Sequence, residues 1–156
     1  MTDKVVFTDV GPRDGLQNQP KILTVAERLR LIGAIAAAGV RSIEVGSFVS
    51  PRAVPAMAGT DEVVAGLPVG DGVTYSALIP NMKGYQLARD AGVRTVNMVL
   101  YASEGMAQRN VNMSMAEAEQ ATLDILACAR QDGVAVIAAI ATAFCCPFDG
   151  PTDPGV

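Results

Sequence analysis

Phe7-Thr8-Asp9-Val10-Gly11-Pro12-Arg13-Asp14-Gly15-Leu16-Gln17-Asn18 is the stretch on which the fold turns. An apolar, strand-like run from Val5 to Val10 leads into a Gly-Pro turn, which sets a guanidinium and a carboxylate side by side. A doubly wound nucleotide binder carries Gly-x-Gly-x-x-Gly after its first strand. Gly11-Pro12-Arg13-Asp14-Gly15 does not fit that pattern, and a carboxylate there would repel a pyrophosphate. A (βα)8 barrel places its polar working residues at the C-terminal ends of its strands. A fixed cation beside a metal-competent oxygen, just past a strand, suits chemistry on an anionic oxygen substrate held at a divalent metal. The same two residues also make a self-compensating ion pair on a surface loop, and spacing alone does not separate the readings.

Outward from that loop, a Gly-Val pair recurs at 39–40, 72–73, 92–93 and 133–134, each opening a β-branched or apolar run. Glycine suits the position just past a helix, where φ turns positive. The run after it reads as a buried parallel strand. Thr24-Val25-Ala26-Glu27 and Ser114-Met115-Ala116-Glu117 are capping boxes at helix starts. Asn81 is an N-cap before a helix from Met82. The spacing predicts strands at 5–9, 41–45, 73–79, 94–100 and 134–141, with helices at 25–38, 61–66, 82–91 and 115–132. Alternating strands and helices mean a parallel sheet covered by helices. Arg13 and Asp14, Glu44 and Ser47, Asn81, Asn97 and Thr142 all fall at or near strand ends, which favours the barrel.

The chain has 156 residues, and a closed barrel needs roughly 250. The expectation is therefore an α/β fold: about five strands and four helices forming the amino-terminal portion of one catalytic barrel domain over 1–156. A bare half-barrel leaves its first and fifth strands as open apolar edges.

Composition excludes several classes. The net charge is −4, and no basic run or basic-aromatic alternation is present, so a nucleic-acid partner is not expected. No apolar run reaches the length of a membrane span. Met1-Thr2-Asp3-Lys4 lacks the layout of a signal or transit peptide, so the expected location is the cytoplasm. The three cysteines, Cys128, Cys145 and Cys146, do not form a disulfide framework; they read as small buried hydrophobes, the latter two ending a buried strand. The chain contains no histidine, which excludes a Ser-His-Asp triad, a Cys-His dyad and a His-ligated metal from its own residues.

Val10-Gly11-Pro12-Arg13-Asp14-Gly15-Leu16-Gln17-Asn18 resembles the amino-terminal signature of 3-hydroxy-3-methylglutaryl-CoA lyases. Further segments agree in order: Ile43-Glu44 into Ser47-Phe48-Val49-Ser50-Pro51, Pro80-Asn81-Met82-Lys83-Gly84, Ala102-Ser103-Glu104, Asn110-Val111-Asn112 and Cys146-Pro147-Phe148-Asp149-Gly150. Pro12 and Leu16 favour the lyases over related condensing enzymes, which more often carry Leu-Arg-Asp-Gly-Glu-Gln there.

The resemblance implies a barrel of the metal-dependent lyase superfamily, using Mg²⁺ or Mn²⁺ to cleave an acyl-CoA substrate to acetyl-CoA and acetoacetate. That reaction belongs to leucine degradation and ketone-body formation. It also implies a homodimer for the complete enzyme. Asp14 becomes a metal ligand, and Arg13 stabilises the enolate oxygen that forms on the thioester. Glu44, a carboxylate in an apolar strand, is expected to orient Arg13 or a metal-bound water. Gln17 is expected to touch substrate or brace the loop. Ser47 and Asn81 face the same mouth and are candidates to touch the acyl-CoA, although Asn81 also reads as a plain helix cap. Thr142 is a candidate to line the acyl pocket. The family's remaining metal ligands, two histidines and an asparagine, come from later strands, as does its loop cysteine. The alternatives are a lyase for a longer 3-hydroxy-3-alkylglutaryl-CoA, a condensing relative, or an inactive truncated or split fragment.

Overall fold

A computed structural model describes residues 5–155; the amino-terminal reading at Met1–Lys4 lies outside them. Five parallel strands form one curled sheet in sequential order. They are β1 (Thr8–Asp9), β2 (Ser42–Ser47), β3 (Thr74–Leu78), β4 (Thr95–Tyr101) and β5 (Ala135–Ala141). The connecting helices are α1 (Val25–Ala37), α2 (Thr60–Ala65), α3 (Met82–Asp90), α4 (Glu104–Val111) and α5 (Met115–Asp132). Sequential order with each strand joined to the next through helix is the arrangement of a (βα)n barrel, here its first five strands.

The capping boxes at Thr24 and Ser114 both form, each with side chain and backbone bonded reciprocally. The glycines of all four Gly-Val pairs have positive φ, between 69° and 98°. An L-residue with a Cβ resists that region, which is why the repeat marks the turn into each strand. Apolar packing follows in layers outside the sheet. Ile43 and Val45 of β2 bury against Ile32 of α1 and Val63 of α2. Val96 and Met98 of β4 join Tyr85, Ile125 and Ala129 of α3 and α5.

Three expectations need correction. The first strand is Thr8–Asp9 and not 5–9, because only these residues pair with β2. Among the described residues there are five α-helices and not four: Ser103 caps an additional helix, α4, whose Met106, like Met113 and Met115, packs against the cluster of Tyr101, Ala107 and Ala118. Cys145 and Cys146 do not end β5; they form β6, antiparallel to β7 (Gly150–Pro151), and only Cys146 is buried while Cys145 is exposed. Cys128 is half-buried against the core. None of the described helices is long and apolar enough to cross a membrane.

Candidate active site

The loop after β1 is one tight turn. The carbonyl of Val10 accepts from the amides of Arg13, Asp14 and Gly15 at 3.1, 2.8 and 3.4 Å. Pro12, already fixed in φ, starts this turn and is buried. Asp9 Oδ1 accepts from the Gly11 amide at 2.8 Å, and a Cβ on Gly11 would stand 2.9 Å from that oxygen. A side chain at 11 would therefore have to displace the Asp9 carboxylate that braces the turn. The turn sends Arg13 inward, with its side chain 17% exposed, and Asp14 outward, at 56%.

Arg13 is held by two carboxylates. Its Nη1 donates to Asp14 Oδ1 at 2.7 Å, and its Nε donates to Glu44 Oε1. Glu44 lies in the middle of β2 with its side chain only 5% exposed. Its second oxygen accepts from Nδ2 of Asn97 on β4, which also bonds Ser76 Oγ of β3 at 3.0 Å. One guanidinium against two carboxylates leaves a net negative charge. The chain Arg13–Glu44–Asn97–Ser76 links the turn after β1 to three strands, β2, β3 and β4, and fixes the guanidinium plane in a largely buried setting, where an oriented charge acts strongly.

Asn97 is the residue whose role the sequence did not reveal, although its place within β4 was visible. Its amide orientation follows from the network, because its Oδ1 facing Glu44 would set oxygen against carboxylate. That Oδ1 is buried and without a hydrogen-bond partner.

Beside this network a cavity of about 430 Å³ opens at the strand ends. Arg13, Gln17 and Ser47 line it together with Val49, Val54, Leu78 and Val99. Tyr101 and Asn110 form its far wall, with Asn110 Nδ2 donating to Tyr101 Oη at 2.7 Å. Burial pushes the Tyr101 phenol above its ordinary 10.0, so it meets the cavity as a neutral hydroxyl. Tyr101 closes β4, and that strand-end position was its only sequence signal.

Two candidates stand apart. Asn81 caps α3, accepting from the Gly84 amide at 3.0 Å, and is not part of the cavity wall, although Pro80 is. Thr142 follows β5 with φ 59°, and its hydroxyl donates to the Ala141 carbonyl at 2.6 Å; it too is outside that wall. Among the described residues, no cluster of three or more His, Cys, Asp or Glu side chains is arranged to hold a metal ion.

The HMGL-like family model matches residues 4–154. A 3-hydroxy-3-isohexenylglutaryl-CoA/hydroxymethylglutaryl-CoA lyase of Pseudomonas aeruginosa is 47% identical, covering 97% of this chain and 50% of its own length. An (R)-citramalyl-CoA lyase of Chloroflexus aurantiacus is 43% identical, over 97% of this chain and 51% of its own. The crystal structure of a hydroxymethylglutaryl-CoA lyase from P. aeruginosa superposes with a TM-score of 0.90 at 47% identity, over 97% of this chain and 50% of that one. An HMG-CoA lyase from Acinetobacter baumannii, solved with coenzyme A and 3-methylmalate, gives 0.88 at 34% identity, over 95% and 48%. The chain spans about half the length of the curated relatives it matches. With Gly-Pro-Arg-Asp-Gly-Leu-Gln seated after the first strand of a five-stranded half-barrel, the chain belongs to the HMGL-like family of carbon–carbon lyases.

Proposed function

We propose that this chain supplies the amino-terminal side of an active site that cleaves 3-hydroxy-3-methylglutaryl-CoA to acetyl-CoA and acetoacetate. The observation that carries this reading is the guanidinium of Arg13, clamped by buried Glu44 at the lip of the cavity. In such a cleavage the tertiary hydroxyl loses its proton and the bond between C2 and C3 breaks. The electron pair passes to the thioester as an enolate, which a proton then quenches. Arg13 is pre-aimed at charge that exists only as the bond breaks, which is where a fixed donor accelerates a reaction. Losing one such donor costs about 3–4 kcal/mol in the barrier. Glu44 keeps Arg13 from swinging into solvent. Gln17 and Ser47, on the same wall, are placed to touch the acyl group.

A divalent cation, Mg²⁺ or Mn²⁺, fits this half of the site only in part. Asp14 offers an exposed carboxylate with one oxygen turned to Arg13, beside a cluster of net negative charge. An octahedral ion needs further anchoring oxygens or nitrogens, and the described residues do not provide that set. When bound, such an ion supplies a Lewis acid that makes the substrate hydroxyl easier to deprotonate. Asp14 is the residue of this chain that would hold it.

A longer-chain substrate is a second reading, favoured by the size and apolar wall of the cavity. An acyl branch larger than methyl would lie against Val49, Val54 and Val99.

The test joins this chain to the carboxy-terminal half of its P. aeruginosa relative and measures acetyl-CoA release from both substrates. The 156-residue chain alone is expected to be inactive and to bind Mg²⁺ weakly. In the joined protein Asp14→Asn should abolish metal-dependent cleavage. Arg13→Lys should lower kcat a hundredfold or more, with much less effect on KM. Turnover by the chain alone, or unchanged rates in both variants, would overturn the assignment.

A further inference from the structure

We infer that Arg28, on the far side of the sheet from the cavity, is a positioning residue for this site. It acts by holding a bulge in β2.

The register carries the argument. Glu44 pairs with Ser76, Gly46 with Ala77 and Ser47 with Leu78, so Val45 is an extra residue in β2. A regular strand alternates its faces, and Glu44 and Ser47, three apart, would then point to opposite sides. Across the bulge both point to the cavity side: Glu44 meets Arg13 and Asn97, and Ser47 lines the cavity. Val45 packs with Ile43 on the helix side, and Gly46 also turns its missing side chain that way. Bulges of this kind re-aim side chains next to active sites.

Arg28 fills the space the bulge opens. A Cβ on Gly46 would lie 2.6 Å from Arg28 Nη2 and 2.7 Å from Thr60 Oγ1. Nη2 donates to the carbonyl of Val45, the bulged residue, at 3.1 Å and to Thr60 Oγ1 at 3.1 Å. Nη1 donates to the Ala58 carbonyl at 2.9 Å. The residue is 1% exposed and makes no ion pair among the described residues. A buried guanidinium with neutral acceptors is costly unless its geometry is needed, because a hydrophobic residue would otherwise serve. A planar fork reaches two separate carbonyls and a hydroxyl at once, and an ammonium does not.

The inference rests on the proposed site but not on its substrate, so the test reads the geometry directly. The chain is labelled with ¹⁵N, and the Arg13 Nε–H resonance and amide exchange are followed by NMR. In Arg28→Lys, exchange at the amides of Gly46, Ser47 and Phe48 should rise at least tenfold relative to those of β4. The Arg13 Nε–H signal should move toward the free-arginine position. Because Arg28→Lys risks unfolding the chain, Thr60→Val supplies a milder arm that removes one acceptor, and its shift should be smaller but in the same direction. Reduced melting temperature with an unmoved Arg13 signal in both variants would reduce Arg28 to a general stabiliser and overturn the inference. Loss of the lyase reading would leave these signals untouched, so the two failures are distinguishable.

Discussion

Glu44→Gln tests the centre of the site, and its effect can be worked from the contacts. The Glu44 carboxylate accepts from two donors, Arg13 Nε and Asn97 Nδ2. A glutamine amide has one acceptor oxygen, so its NH₂ must face one of those donors. At a charge separation of about 4 Å and an effective dielectric of about 20, the direct attraction is about 4 kcal/mol. Part of it offsets the desolvation of a carboxylate that is 5% exposed, and breaking such a pair from one side costs about 3–5 kcal/mol. The same guanidinium supplies an internal control. Its bond to Asp14 reaches a carboxylate that is 56% exposed, where screening leaves about 0.2–1 kcal/mol. Urea unfolding of the 156-residue chain, run as two double-mutant cycles with Arg13→Ala, separates the terms. The Arg13–Glu44 coupling should exceed the Arg13–Asp14 coupling by about 2 kcal/mol or more. Equal couplings, or an Arg13–Glu44 coupling below about 0.5 kcal/mol, would refute the view of Glu44 as the clamp on Arg13.

Asn97→Leu removes the donor shared by Glu44 and Ser76 and should destabilise the chain by about 1–3 kcal/mol, while Ser76→Ala costs less; chemical denaturation ranks them. Acid should loosen the start of α1. The bonds from Lys21 and Thr24 hold Glu27 down to about 2 from 4.5, so this carboxylate's contribution is full above pH 4.5 and is lost as pH falls toward 2. A Glu27→Gln variant should flatten the stability curve in that window, and an unchanged curve would exclude the capping box as its source. β5 ends the sheet with one edge unpaired and Ile140 63% exposed, so Ile140→Lys should suppress concentration-dependent self-association seen by light scattering. Equal association would move the sticky surface elsewhere.

The architecture was legible because its signals are local. Capping boxes span four residues, and the Gly-Val turns sit directly before their strands. Those elements appear within one or two residues of their expected ends, except at Val5–Phe7, where an apolar run finds no partner strand. The helix at Glu104–Val111 was hidden by Gly105 and by a polar sequence of weak periodicity, although Ser103 at its cap was a usable sign. The β6–β7 hairpin has no local signature, because two cysteines and a Pro-Phe loop look like the end of a buried strand.

The site divides in the same way. Arg13, Asp14 and Glu44 were named from the sequence because a charged pair after a strand, and a carboxylate within one, are anomalies visible along the chain. Asn97 and Arg28 acquire their roles only through contacts across 53 residues to Glu44 and 17 to Val45. The Arg28 contact depends on one extra residue in the register of β2. A one-residue shift turns every later side chain to the other face. Local sequence determined which strands and turns form and which charges they present. Only the tertiary packing, by setting that register and filling the space behind Gly46, decided that Glu44 and Ser47 lie on the same side of the sheet.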